Sequence, residues 1–286
     1  MEFLVNSNSV IISGICDFNA THTFDCGQCF RWEKEADGSY TGVAHGRVVN
    51  VAYTDSSVII NNTNIDDVKN IWVDYLDLNR DYSQIKKLYI DDENLKSAME
   101  FGYGIKILRQ EVFECLVSFI ISTQNGIGRI KKIVSKLCSM YGSKVEYNGK
   151  TYYSFPTSEQ LDGVTEKDLE PLKAGYRAAY IVDCINKVSS GEIDLQKVAG
   201  LDIDSARKEL LKIKGVGPKV ADCVMLFSMG KYEAFPIDVW VKRTMSNLYL
   251  NENASVNDIQ KYAAENFGEF AGMAQQYLFY YARENA

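Results

Sequence analysis

The sequence predicts an α+β protein in which an antiparallel sheet comes first and an all-helical body follows. Two observations carry this. Between Ser9 and about Asn62, short runs rich in Val, Ile and Tyr are cut by Gly, Ser and Asp with no proline, the punctuation of antiparallel strands. From about Ile65 onward the apolar residues recur at spacings of three and four, the period of an amphipathic helix, and the pattern is read as helical to the end. The 286 residues suit two domains of about 100–200 each. The division is placed at residue 100, giving a sheet domain over 1–100 and a helical domain over 101–286.

Composition bounds the function classes. Apolar residues make up 46% and charged residues 24%, as in an ordinary water-soluble chain. The first residues, MEFLVNSNSV, carry no basic region and no long apolar run, so no secretory leader is expected. No stretch approaches the roughly 20 apolar residues of a membrane span. A cytoplasmic monomer with no membrane partner is expected, nucleoid-associated in a bacterium and nuclear in a eukaryote. The net charge of −7 implies modest non-specific affinity for nucleic acid, so a phosphate-bearing partner would need a local basic face. Seven scattered cysteines, an odd number, suit reduced thiols. Cys26 and Cys29 have zinc-ligand or redox spacing, but no second pair accompanies them.

Taken in order, strands are expected over residues 10–12, 40–43, 48–53 and 58–60, with turns at Asp37-Gly38 and His45-Gly46. The segment DCGQCFRW, residues 25–32, reads as a turn with Phe30 and Trp32 in the core. Val112, Leu116, Phe119 and Ile120 then mark a buried helix face. The polar break Ser122-Thr123-Gln124-Asn125-Gly126 separates it from a second helix over 127–137. Gly175-Tyr176-Arg177 opens a further helix whose apolar side holds Tyr180, Ile181 and Ile185. The last helix contains FAGMAQQYLFYYARE, with Met273, Tyr277 and Tyr280 on its apolar face.

The chemistry concentrates in residues 211–243, LKIKGVGPKVADCVMLFSMGKYEAFPIDVWVKR. Leu210, Leu211 and Ile213 close one apolar segment, Gly215-Val216-Gly217 turns the chain, and Val220, Val224 and Phe227 begin the next face. Pro218 suits the first helical position and Gly230 the stop. A glycine turn at a helix N-terminus presents free N–H groups and the positive dipole end, a site for an anion such as a DNA phosphate. Arg207, Lys208, Lys212 and Lys214 add charge beside it. Lys219 stands near that dipole end, where an amine can serve as a nucleophile near neutral pH. Asp238 either caps the next helix or stabilises a developing cation. By spacing alone, a structural turn, a solvated lysine and a capping aspartate account equally for the pattern.

The run KGVGPKVADC…PIDV resembles the helix–hairpin–helix (HhH-GPD) DNA glycosylase superfamily, and within it the bifunctional 8-oxoguanine DNA glycosylase/AP lyases. The resemblance covers nearly the whole chain and is most specific in the hairpin, lysine and aspartate. It implies a TBP-like N-terminal sheet domain, duplex DNA carrying 8-oxoguanine as partner, and no cofactor or catalytic metal. Lys219 is then the nucleophile and Asp238 its electrostatic partner, with Gly215, Val216 and Gly217 binding phosphate. Carbonyls of Leu211, Ile213 and Val216 could hold a structural cation. The segment around Gly27 resembles the family's GQ-x-FRW, in which the glycine carbonyl accepts the N7–H that 8-oxoguanine has and guanine lacks. Gln275 corresponds to the residue on the base edge, with Gln276 its neighbour and competitor, and Phe279 and Cys223 to the two faces of the base slot. Gln124 corresponds to the amide that fills the gap left by the flipped base, Tyr176 to the wedge, and Arg129 and Arg177 to contacts with the orphaned cytosine.

This chain departs from the family in places. Gln124 and Gly126 replace an expected run of asparagines, so strict preference for cytosine opposite the lesion is not implied. Trp240 stands where the family has a phosphate-contacting histidine; an indole donates one N–H and carries no charge. No cysteine follows Cys223, so the iron–sulfur cluster of some relatives is not expected. Two other functions remain open: a glycosylase for another base, such as an alkylated purine, and a non-catalytic DNA-binding module. A lesion panel separates the first, and the pairing of Lys219 with Asp238 argues against the second.

Overall fold

All four expected strands form, and their register explains their pattern. In the computed structural model, which describes residues 1–285, six strands make one antiparallel sheet. They are β1 (Glu2–Asn6), β2 (Ser9–Ser13), β3 (Trp32–Lys34), β4 (Tyr40–Ala44), β5 (Arg47–Thr54) and β6 (Ser57–Asn61), in the order β1-β2-β6-β5-β4-β3. Val10 pairs with Ile60, Ile60 with Val51 and Val51 with Tyr40. These four side chains are fully buried on one face, and a one-residue slip of β2 or β6 would turn its buried residues to the half-exposed face. Helix Ala20–Asp25 belongs to the same body, where Phe24 stacks on Trp32 with ring centres 4.1 Å apart.

The helical period does not run unbroken after Ile65. A second hairpin, β7 (Lys144–Tyr147) with β8 (Lys150–Tyr153), interrupts it. Its turn is Asn148-Gly149, both at positive φ (48° and 69°), the geometry of a two-residue mirror-image turn.

The packing divides earlier than residue 100. The sheet's core runs to Leu78 and takes in Leu108 beyond it, whereas Tyr82, Ile85, Leu95, Ala98 and Met99 belong to the helical core. Helix Glu93–Phe101 lies against the C-terminal helix Ala271–Glu284, which draws it into the second body. Cys26 and Phe30 cross the other way, into the helical core. Residues 25–32 are therefore pinned between the two bodies. The Arg31–Glu114 ion pair at 3.1 Å reinforces that join, and the Gln28 amide donates to the Thr23 and Lys106 carbonyls, both at 2.8 Å. No helix among the described residues is long and apolar enough to cross a membrane.

One residue of this join works against stability. Lys106 is 2% exposed, and its ammonium lies 3.9 Å from the centre of the Tyr82 ring. Burial pushes its pKa down from 10.5 to about 8, against the opposing pull of Asp17 and Asp77. The folded state then binds fewer protons than the unfolded chain between those two pKa values, so stability rises as pH climbs through that window. Lys106→Met is expected to stabilise the protein at pH 7 by roughly 1–3 kcal/mol and to flatten the dependence above pH 8. Urea unfolding at pH 7 and pH 9.5 reads both effects. Equal stability of the two proteins at pH 7 would mean that the Tyr82 face offsets the whole desolvation cost.

Candidate active site

Helix Ile203–Leu210, a turn over 211–217 and helix Pro218–Ser228 form the expected helix–hairpin–helix unit. Asp202 caps the first helix by accepting from the N–H groups of Asp204 and Ser205. Gly215 has φ +83°, and a Cβ there would overlap the Tyr180 ring, so only glycine lets the hairpin close on that neighbour. Gly217 is the extended N-cap and Pro218 the first helical residue. Lys219 is thus at the second position, where backbone N–H groups have no intrahelical acceptor.

Two connected cavities meet at this helix start. The outer one is an open groove of about 890 Å³, walled by Gly215, Val216 and Gly217 on one side and by Thr123, Gln124 and Tyr176 on the other. Behind it lies a slot of about 40 Å³ lined by Gly27, Phe119, Cys223, Phe227, Pro236, Gln275, Gln276 and Phe279. Lys219 and Asp238 are the two residues that line both. They stand where the groove opens into the slot.

The Lys219 amine lies 4.9 Å from the centre of the Phe119 ring and beside the Cys223 thiol. Burial raises the Cys223 pKa to about 11 despite that amine, so the thiol is a neutral apolar wall rather than a competing nucleophile. Asp238 caps helix Val239–Leu248, its Oδ1 accepting from the Val241 N–H at 2.8 Å. That leaves Oδ2 free, so capping and electrostatic roles are compatible in one side chain.

The two adjacent glutamines separate cleanly. Gln276 donates to the Cys26 carbonyl at 2.9 Å and is thereby tied to the N-terminal body. Gln275 is 4% exposed, and its Oε1 is buried without a partner. A buried amide oxygen with nothing to accept from is costly, and a ligand in the slot would satisfy it. Gly27 sits at φ +88° on the slot wall. The slot as it stands admits little more than a water molecule. Phe279 is its half-buried aromatic wall, and a base can enter only if a wall moves.

On the outer wall, Tyr176 is 51% exposed at the helix start, edge-on to Tyr180 with ring centres 5.6 Å apart. Its hydroxyl donates to Gln124 Oε1 at 3.3 Å, and Gln124 holds a positive φ of 48° in the exposed loop. Arg129 is exposed and donates to the Lys173 carbonyl at 3.1 Å. Arg177 differs from the expectation of a base-reading side chain. It is 5% exposed, and its guanidinium donates to the carbonyls of Thr123, Gln124 and Ala174. In this structure it clamps the loop that carries Gln124. Trp240 lines the groove beside Asp238, with the Arg243 guanidinium 5.7 Å from its ring centre.

Three residues of the site were not singled out from the sequence: Phe119 beneath Lys219, Phe227 in the slot, and Arg283 behind Gly27. The first two read as ordinary core positions on apolar helix faces. Arg283 lies one helical turn beyond Phe279, a spacing that could have linked them. Cys26 and Cys29 are buried thiols, and each donates to a carbonyl of helix Ala20–Asp25. Among the described residues no group of three or more His, Cys, Asp or Glu is placed to hold a metal ion.

Comparison with known proteins gives matches over both parts of the chain. Residues 10–116 match the family model for the 8-oxoguanine DNA glycosylase N-terminal domain, and residues 117–269 that for the HhH-GPD superfamily of base excision DNA repair proteins. A probable N-glycosylase/DNA lyase of Methanothermobacter thermautotrophicus is 33% identical over 217 residues, 69% of this chain and 69% of that protein. The N-glycosylase/DNA lyase OGG1 of Arabidopsis thaliana is 29% identical over 90% of this chain and 75% of its own length. The crystal structure of the Clostridium acetobutylicum 8-oxoguanine glycosylase/lyase, in complex with double-stranded DNA containing cytosine opposite 8-oxoG, superimposes with a TM-score of 0.97. It is 47% identical, and the match covers 100% of this chain and 98% of that one.

Proposed function

The chain belongs to the HhH-GPD superfamily of base excision DNA repair proteins, and from that premise we propose that it is a bifunctional 8-oxoguanine DNA glycosylase/AP lyase. The observation that carries the reading is the slot. Gln275 Oε1 waits there unpartnered, Gly27 lines the wall, and Lys219 with Asp238 guards the opening from the outer groove of about 890 Å³.

The partner is duplex DNA, bound by the hairpin N–H groups of Gly215 and Gly217 to a phosphate. Exposed Lys214, Lys173, Arg129, Lys242 and Arg243 flank the groove and supply the local positive face that a net charge of −7 requires. Tyr176 wedges into the stack and offsets part of the cost of extruding the base. Gln124 occupies the gap, Arg129 approaches the orphaned cytosine, and Arg177 holds the loop that presents Gln124. The extruded purine lies between Cys223 and Phe279, with Gln275 on its edge and the Gly27 carbonyl accepting N7–H. Guanine offers a lone pair to that carbonyl instead, so it is rejected by repulsion at a desolvated contact.

Lys219, unprotonated, attacks C1′ as the glycosidic bond breaks, and the electron pair of that bond leaves with the base. The free carboxylate oxygen of Asp238 stabilises the oxocarbenium character of the sugar. The added amine gives one proton to the departing purine and the other to the ring oxygen as the C1′–O4′ bond breaks, which opens the sugar to an imine. Loss of a C2′ proton then expels the 3′ phosphate by β-elimination, which nicks the strand. The carbonyls of Leu211 and Val216 accept no hydrogen bond within the described chain, and that of Ile213 accepts from the Val216 N–H, so a cation could brace the hairpin there without entering any step. A cytoplasmic monomer acting on one lesion at a time fits this reading.

A panel of duplexes with one 8-oxoguanine, one 3-alkylated adenine or no lesion tests it, with base release and strand nicking read separately. Release of 8-oxoguanine followed by nicking is expected, with the other two duplexes at least about 100-fold slower. Preferred release of the alkylated base would overturn the substrate.

A further inference from the structure

Residues 25–28 carry four successive carbonyls, and three are held by side chains from the helical body. Asp25 O accepts from Arg283 Nη2 at 2.6 Å, and Cys26 O from Gln276 Nε2 at 2.9 Å. Gln28 O accepts from Gln110 Nε2 at 2.8 Å. The Gly27 carbonyl alone accepts from no donor of the described chain. Arg283 also packs close to Gly27: a Cβ on that glycine would lie 3.0 Å from its Nη1 and 3.2 Å from Phe279 Cε1. The same guanidinium lies 5.5 Å from the centre of the Phe279 ring. It therefore braces both the hydrogen-bonding wall of the slot and its stacking wall. Its Nη1 is buried with no partner, and the head group is held there by its bond to Asp25 O and by the Glu284 carboxylate, which accepts from Nε at 2.9 Å.

We infer that Gln276 and Arg283 are positioning residues that aim the free Gly27 carbonyl and so set the discrimination between 8-oxoguanine and guanine. The inference rests on the substrate reading above. Arg283 lies outside the lining of the slot, and Gln276 lines it with its amide nitrogen committed to Cys26 O. They act by fixing the two carbonyls immediately before Gly27, leaving its left-handed peptide no freedom to rotate away from an N–H donor. A tilt of that peptide would weaken the bond to 8-oxoguanine and relax the repulsion of guanine, so the two rates would converge. Lyase action on a pre-formed abasic site leaves the slot empty and does not sense the carbonyl.

The test compares wild type, Gln276→Leu, Arg283→Met and Arg283→Lys under single turnover. The substrates are an 8-oxoguanine·cytosine duplex, a guanine·cytosine duplex and an abasic duplex. Expected results are a loss of about tenfold or more in the 8-oxoguanine-to-guanine rate ratio for the Leu and Met variants, and abasic-site nicking within about threefold of wild type. Arg283→Lys, which keeps a donor for Asp25 O, should recover part of the ratio. An unchanged ratio with nicking intact would overturn the inference, as would a parallel loss of excision and nicking, which would mark a merely structural role. A wild type inactive on 8-oxoguanine but active on abasic DNA would instead remove the substrate reading beneath it.

Discussion

Lys219→Gln is expected to lower base excision by at least about 10³-fold and to abolish imine trapping, while leaving duplex binding within a few-fold of wild type. Borohydride reduces a lysine–sugar imine to a permanent adduct, visible on a denaturing gel with an 8-oxoguanine duplex. No neighbour can replace the amine. The Cys223 thiol, with its pKa pushed to about 11, stays protonated at working pH, and Asp238 can stabilise a cation but forms no imine. Glutamine keeps a polar side chain only one bond shorter at a half-buried helix start, so the fold should survive and the thermal midpoint should stay within a few degrees. An adduct with the variant, or excision near the wild-type rate, would remove Lys219 from the chemistry. Excision without any adduct in the wild type would keep a glycosylase and discard the covalent step.

How much of this site could be read in the sequence depends on how local each signal is. The hairpin, Lys219 and Asp238 form one short unit whose spacing alone fixes a turn, a helix start and the next helix's cap, and each is found where expected. Burial and partners are another matter, since they are set by segments far apart in sequence. Gln275 and Gln276 are chemically identical neighbours. Only the position of the Cys26 carbonyl, across the domain join, makes Gln276 a tether and leaves Gln275 free. The burial of Arg177 is equally non-local, because two of its three acceptors, the Thr123 and Gln124 carbonyls, lie in a loop more than fifty residues earlier.

The fold follows the same rule. Strands β2 and β6 alternate between buried and half-buried residues, and β5 carries a run of buried residues rich in valine, whereas β1 is exposed along its whole length and leaves no pattern to detect. The hairpin of β7 and β8 did announce itself, through Asn148-Gly149. Its strands are exposed or half-buried and carry lysine and glutamate, so apolar periodicity alone passed over them. The packing boundary near residue 80 could not be located by composition, since helix Glu93–Phe101 joins the helical core only by meeting the C-terminal helix.

Asp238 gives the second large effect, and it can be separated from structure because two of its roles respond differently to substitution. As an N-cap it supplies one oxygen to the Val241 N–H, a task that asparagine performs about as well as aspartate. As an electrostatic partner it supplies a negative charge on the free oxygen, which asparagine cannot. Asp238→Asn is therefore expected to keep stability within about 0.5 kcal/mol and to slow excision by about 10²–10³-fold, the usual cost of removing one group aimed at developing charge. Asp238→Ala should show the same kinetic loss and an additional destabilisation of about 1 kcal/mol from the uncapped helix Val239–Leu248. Urea unfolding beside single-turnover excision reads the two roles independently. If Asp238→Asn excised at the wild-type rate, the carboxylate would be a cap alone, and oxocarbenium stabilisation would have to come from the leaving base or the phosphates. If Asn lost as much stability as Ala, the bond to Val241 would depend on charge, and the kinetic loss could no longer be assigned to the sugar. A stable, slow Asp238→Asn protein is the one result that ties the charge itself to the chemical step.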